Sequence, residues 1–127
     1  MSHTPMLEIK NLTKVYGTGK DAKKAVEDIS LTVERGAFYG LLGPNGAGKS
    51  TTIHCITGIA QPTTGTIHVD GVDVVKDYKL ARTKVGLSPQ EFNVDIFSTT
   101  EKLMDYMGGY YGIPHDERWQ RIEELIA

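Results

Sequence analysis

The segment Gly43-Pro44-Asn45-Gly46-Ala47-Gly48-Lys49-Ser50-Thr51 meets the spacing G-x-x-x-x-G-K-S, which constrains both the local fold and its chemistry. Its glycines let the backbone turn tightly enough to aim successive N–H groups at phosphate oxygens. The helix that must follow presents its positive end to the same anion. Lys49 is placed to reach the β- and γ-phosphates, the Ser50 hydroxyl to ligate Mg²⁺, and the Thr51 hydroxyl to lie near the α-phosphate. A chain of 127 residues with average composition shows this pattern by chance with a probability of about 1% or less. The setting agrees. Ala37 to Leu42 is apolar throughout, as in a strand covered on both faces, and Ile53, Ile56 and Ile59 mark a helix behind the loop.

The rest of the chain reads as a mixed α/β unit. Leu7-Glu8-Ile9-Lys10 and Ile29 to Glu34 alternate apolar and polar, so both are expected as half-buried strands, with a turn at Tyr16 to Asp21. Gln61 to Gly65 breaks the helix after the loop, Ile67 and Val69 mark a short strand before Asp70-Gly71, and Asp77 to Thr83 suits a short helix. Val85 to Ser88 is expected as a buried strand. A helix starts near Ser98, which forms a capping-box pattern with Glu101, and it carries Gly108 and Gly109 where a kink or close packing is expected. Asp116 to Ala127 reads as a helix with Trp119, Ile122 and Ile126 on one face. It reaches the last residue with no stop signal, the expected sign of a truncated domain.

Composition narrows the class without choosing a function. A net charge of −2 gives no reason to expect nucleic acid as a partner. No apolar run approaches the roughly 18 residues of a membrane span, and no signal-peptide pattern opens the chain. The single Cys55 offers no intrachain disulfide, so a cytosolic location is the default. The four histidines show no metal-ligand spacing, and ordinary packing or solvation explains His54 and Cys55.

Two local patterns imitate nucleotide motifs. Gly17 to Ala22 fits G-x-G-x-x-A, but an alternating strand follows it instead of a helix, which makes it a hairpin loop. Ile67-His68-Val69-Asp70 imitates an apolar run ending in a Mg²⁺-holding Asp. It lacks an adjacent acid and runs into Gly71, as does a strand ending in a turn.

The longer stretch Leu41 to Thr52, LLGPNGAGKSTT, resembles the ATP-binding subunits of ABC transporters. Asn45 within the loop and Ser50-Thr51 after the lysine are typical of that family. Tyr16 resembles the aromatic residue of its A-loop, Gln90 the Q-loop glutamine, Thr64 to Ile67 the turn after the loop helix, and Ser98 to Leu103 the start of its helical subdomain. Taken alone, Tyr16 is a strand-end aromatic and Gln90 a solvated loop residue; on the resemblance, Tyr16 stacks on adenine and Gln90 approaches Mg²⁺ or the attacking water. Val26 reads as a core residue, with a ribose contact as the alternative. Phe92 and Phe97 read equally as satellite core or as a contact to transmembrane subunits.

The resemblance implies a P-loop NTPase-type α/β core with an N-terminal antiparallel β-subdomain. Residues 1–36 supply the β-subdomain strands, 37–90 a portion of the P-loop core, and 91–127 the Q-loop with the start of the helical subdomain. It implies ATP and Mg²⁺ as ligands, with Tyr16, Gly43, Asn45, Gly46, Ala47, Gly48, Lys49, Ser50 and Thr51 around the nucleotide. Lys49 and Gln90 serve catalysis, and Ser50 and Gln90 the metal. The implied partners are membrane permease subunits and a second ATP-binding subunit packed head to tail, at the inner face of the cell membrane. The signature motif, the Asp-Glu strand, the Asp-containing loop and the switch histidine of the family are absent from these residues. The chain therefore reads as the first part of an ATPase domain, expected to bind nucleotide, not to turn it over alone, and to self-associate through uncovered strand edges.

The leading expectation is the motor of a transporter, with export of a drug, antibiotic or polysaccharide suggested by Tyr110-Tyr111-Gly112-Ile113 and the segment around Gln90. Alternatives are a soluble ABC-type ATPase of translation or DNA repair, and a P-loop small-molecule kinase or GTPase.

Overall fold

Ile9 and Leu12 both need to face inward although they stand three positions apart, an odd spacing that a regular strand would send to opposite faces. The computed structural model, which describes residues 4–89 and 97–127, shows how the strand manages this. β1 (Leu7–Tyr16) pairs antiparallel with β2 (Lys23–Val33), and the register shifts between Ile9 and Leu12. Asn11 and Asp28 take φ of 49° and 48° at this irregularity. Asn11 Nδ2 donates to Asp28 Oδ1 at 2.8 Å, and Asp28 N donates to Thr13 Oγ1 at 3.0 Å. The bulge resets the alternation, so that Ile9 and Leu12 are 1% and 0% exposed.

β3 (Thr64–Val69) adds antiparallel to the other edge of β1, and β4 (Val72–Asp73) pairs with β3, giving the order β2-β1-β3-β4. The β1–β2 connection is a hairpin with a short 3-10 turn at Gly19–Asp21, as expected, so the glycine pattern there opens no helix for a dinucleotide. Asp70 and Gly71, both at positive φ, form the tight two-residue turn from β3 to β4. The Asp70 carboxylate holds Arg35 and Lys84 as structural partners.

Two helices cover the core face of this sheet. α1 (Lys49–Ile56) buries Thr52 and Cys55, and α2 (Tyr78–Arg82) buries Ala81. They pack with Ile9, Leu12, Val26, Ile67, Val69 and Val74 into one core. Val26 is therefore a core residue, 3% exposed.

The segment Ala37 to Leu42, expected as a buried strand, is not one. It has no ladder partner among the described residues, and Phe38 and Leu42 are 103% and 93% exposed. Apolar character alone does not make a strand; its N–H and C=O groups need a neighbouring strand to bond. Val85 to Ser88 also lies outside any ladder, with Val85 half-buried against the core and Leu87 exposed.

The second compact unit, Pro89–Ala127, is a helical hairpin of α3 (Thr100–Tyr110) and α4 (His115–Ile126). The cap of α3 is Thr99, whose hydroxyl accepts from Lys102 N, in place of the expected Ser98. The Glu101 carboxyl is held below its ordinary range, first by a backbone N–H and then by the Thr99 hydroxyl. Gly112, at φ 74°, ends α3: its N–H bonds Gly109 O, and Ile113 N bonds Gly108 O. Arg118 of α4 donates to Asp105 Oδ1 and to the Ile113 carbonyl, both at 2.7 Å, and lies over Gly108. The close packing expected at that glycine is present. Ile122 is buried, whereas Ile126 remains 46% exposed.

Candidate functional site

The glycine-rich loop runs directly into α1. Gly46 and Gly48 have φ of 84° and 90°, the left-handed region that glycine enters without penalty. A Cβ on Gly48 would lie 2.6 Å from Ala25 O and 2.9 Å from Val26 Cγ2. The end of the loop is therefore pressed against β2, and only glycine fits there. Ala47 N bonds Pro44 O at 3.2 Å, and Thr52 N bonds Gly48 O at 2.9 Å as the helix begins. Thr52 turns its hydroxyl back onto the same Gly48 carbonyl and is buried. The N–H groups of the first turn precede the first intrahelical bond, and no side chain caps Gly48.

Lys49 curls over the loop and donates to Gly43 O and, at 2.7 Å, to Pro44 O. No carboxylate pairs with it among the described residues. An ammonium held by carbonyls alone among the described residues, beside helix N–H groups that precede the first intrahelical bond, is an anion cradle in its donor chemistry. Asn45 and Ser50 are exposed and Thr51 half-buried, so the loop surface is open. Among the described residues no three His, Cys, Asp or Glu side chains gather as a metal cage.

Tyr16 closes β1, 43% exposed, opposite Lys23 in the register with β2. Gly48 abuts Ala25 on that same strand, so Tyr16 and the loop are joined through the β2 end of the hairpin. Lys14 Nζ sits 4.8 Å from the Tyr16 ring centroid, a contact that the sequence reading missed. Its signal was the separation of two residues, which places Lys14 and Tyr16 on one strand face. Gln90 and Phe92 lie outside the described residues, and Phe97 is 91% exposed. Cys55, behind the loop, is fully buried; burial pushes its thiol up, against a smaller opposing effect of Lys14. That thiol is a packing group, as expected.

Residues 26–127 match the family described as ABC transporter. The methionine import ATP-binding protein MetN 2 of Rhodococcus jostii is 36% identical over 97% of this chain and 37% of its own length. The linearmycin resistance ATP-binding protein LnrL of Bacillus subtilis is 38% identical over 95% of this chain and 38% of its own. The chain thus spans under two fifths of the length of these relatives. Among solved structures, the dimeric post-hydrolysis state of the ATP-binding cassette MJ0796 bound to ADP and Pi superposes with a TM-score of 0.75 at 27% identity. That match covers 94% of this chain and 55% of MJ0796. The chain belongs to the ABC transporter family, and its residues form part of an ATP-binding cassette.

Proposed function

We propose that the Gly43–Thr51 loop grips the phosphates of ATP, and that the whole protein couples ATP hydrolysis to transport across a membrane. One observation carries the reading: Lys49 and the α1 N-terminus form a cationic cradle that no carboxylate pairs with among the described residues. In this reading Lys49 exchanges its two carbonyl partners for phosphate oxygens, and the N–H groups of Gly46 to Thr51 surround them. Gly43 and Ala47 shape the loop, Asn45 lines it, and the Thr51 hydroxyl supports the phosphate nearest the sugar. Ser50 offers its hydroxyl to Mg²⁺, which supplies charge neutralisation of the phosphates when bound. Tyr16 stacks on adenine, and Gln90 orients water and metal.

The reading places the protein on the cytoplasmic side of a membrane, bound to permease subunits and to a second cassette. Support for pairing comes from MJ0796, whose solved structures are dimers. No described helix is long and apolar enough to cross a membrane, so the span falls to other chains or other segments. Export, expected from Tyr110 to Ile113 and the segment around Gln90, is supported by the Nod factor export ATP-binding protein I of Ralstonia nicotianae, 38% identical. The methionine import relatives match the same stretch equally well, so import and export share this part of the cassette.

The test is binding of a fluorescent ATP analogue to the chain and to Lys49→Ala. Loss of the ammonium lowers affinity by about 100-fold, as expected for several charge-assisted contacts. Unchanged binding overturns the site. Displacement by GTP as readily as by ATP would favour a GTPase, whose site lacks the adenine stacking of Tyr16.

A further inference from the structure

A concavity lies at the C-terminal end of α1, the end opposite the phosphate loop. Its volume is about 190 Å³, and its lining includes Cys55, Val74, Val75, Tyr78 and Arg82. The floor is apolar: Cys55 and Val74 are core residues, and burial keeps the Cys55 thiol neutral. The rim is cationic. Arg82 is exposed, and it pairs with no carboxylate among the described residues. Its Nη2 donates to Gly58 O at 3.2 Å, and the guanidinium lies 5.4 Å from the Tyr78 ring centroid. One of its five N–H donors is thereby used, and the fork is held in place by the ring beneath it.

We propose that this cavity binds a small organic monocarboxylate, its hydrocarbon or ring seated against Val74 and Val75 and its carboxylate on Arg82. The size fits, since an apolar cavity of about 150 Å³ takes up a benzene ring. The planar guanidinium matches a carboxylate in two parallel hydrogen bonds, and a single cation suits a single negative charge. Tyr78 and Val75, each 46% exposed, leave the mouth open to solvent. The cavity reaches Cys55 near the end of α1, whose first residue is Lys49, so an occupant would rest on the helix that begins the phosphate cradle.

The experiment is titration of the chain with benzoate and with benzyl alcohol, followed by amide NMR shifts of Gly58, Val74 and Val75. Benzoate gives saturable shifts at these amides, and the uncharged alcohol binds about tenfold more weakly, the worth of one charge-assisted contact. Arg82→Met brings benzoate down to the level of the alcohol and leaves the alcohol unchanged. Val75→Trp, made at an exposed position, fills the mouth and removes the response to both. Absence of saturable shifts with benzoate overturns the proposal. Equal affinity for the two probes, or an undiminished response in Val75→Trp, does the same.

Discussion

Gly48 sits where two demands meet at one residue. Its φ of 90° excludes a comfortable side chain, and its missing Cβ leaves room for Ala25 O, 2.6 Å from where that atom would be. Gly46 has a similar φ of 84° but open space around it. Gly46→Ala therefore loses about 1 kcal/mol from backbone strain alone. Gly48→Ala adds a clash with immovable backbone and loses about 3 kcal/mol or more, with the difference read from urea unfolding of the two variants. Equal losses would mean that the loop does not press on β2. The motif spacing made both glycines legible in the sequence as loop residues. It could not separate them, because the contact with Ala25 depends on where β2 lies.

Asp70 carries a second single-residue argument. The hydrogen bond from Lys84 holds its carboxyl below the ordinary value of 3.8; partial desolvation opposes this, and the charges of Lys84 and Arg35 add to the lowering. A depressed folded value means that the contribution to stability is present above 3.8 and is lost as pH falls through the folded value. Asp70→Asn should flatten the acid limb of the stability profile and leave its slope near neutrality unchanged, as measured by thermal melting against pH. A wild-type acid limb in the variant would contradict the assignment. The sequence offered Asp70 as a mimic of a metal-holding acid and dismissed it on the Gly71 that follows; the turn and its two cationic partners are what that glycine made possible.

Among the elements, the β1–β2 hairpin was legible, and β4 and the lone apolar runs were not. Alternation announced β1 and β2 because half-buried strands record their two faces in the sequence. Ala37 to Leu42 and Val85 to Ser88 carry only apolarity, which reports a demand for burial but not the neighbour that would satisfy it. The bulge at Asn11 escaped because a one-residue reset resembles imperfect alternation. In α3, Gly108 and Gly109 looked alike, yet a Cβ on Gly108 would meet Arg118 Cδ at 2.7 Å, against 3.4 Å to Nη1 for Gly109. Arg118 cannot swing away without leaving Asp105 and the Ile113 carbonyl. Gly109→Ala should thus keep most of the roughly 1 kcal/mol gain in helix propensity, while Gly108→Ala lowers the helicity of the unit. Circular dichroism on the pair decides it; matching gains would show that Arg118 is not locked.

At the scale of the whole molecule, an intact core coexists with a strip that has none. Ile9, Leu12, Ile67 and Cys55 are 0–1% exposed, so the antiparallel sheet and its two helices close around a dry centre. Phe38 and Leu42 face solvent completely, with Tyr39 53% and Leu41 37% exposed beside them. A contiguous apolar strip whose backbone finds no ladder partner among the described residues is both a hydrophobic patch and a template on which another chain can pair, and a net charge of −2 supplies little repulsion to keep copies apart. The chain should therefore self-associate at micromolar concentration, with a light-scattering mass that rises with concentration. Phe38→Lys combined with Leu42→Lys places two like charges on the strip and should return the mass to that of a monomer. The nucleotide cradle begins just beyond the strip, so ATP-analogue binding by the double variant separates the two roles: retained binding with restored monomer assigns association to the strip alone. A wild-type chain that stays monomeric throughout would show that the strip is covered in solution by its own chain.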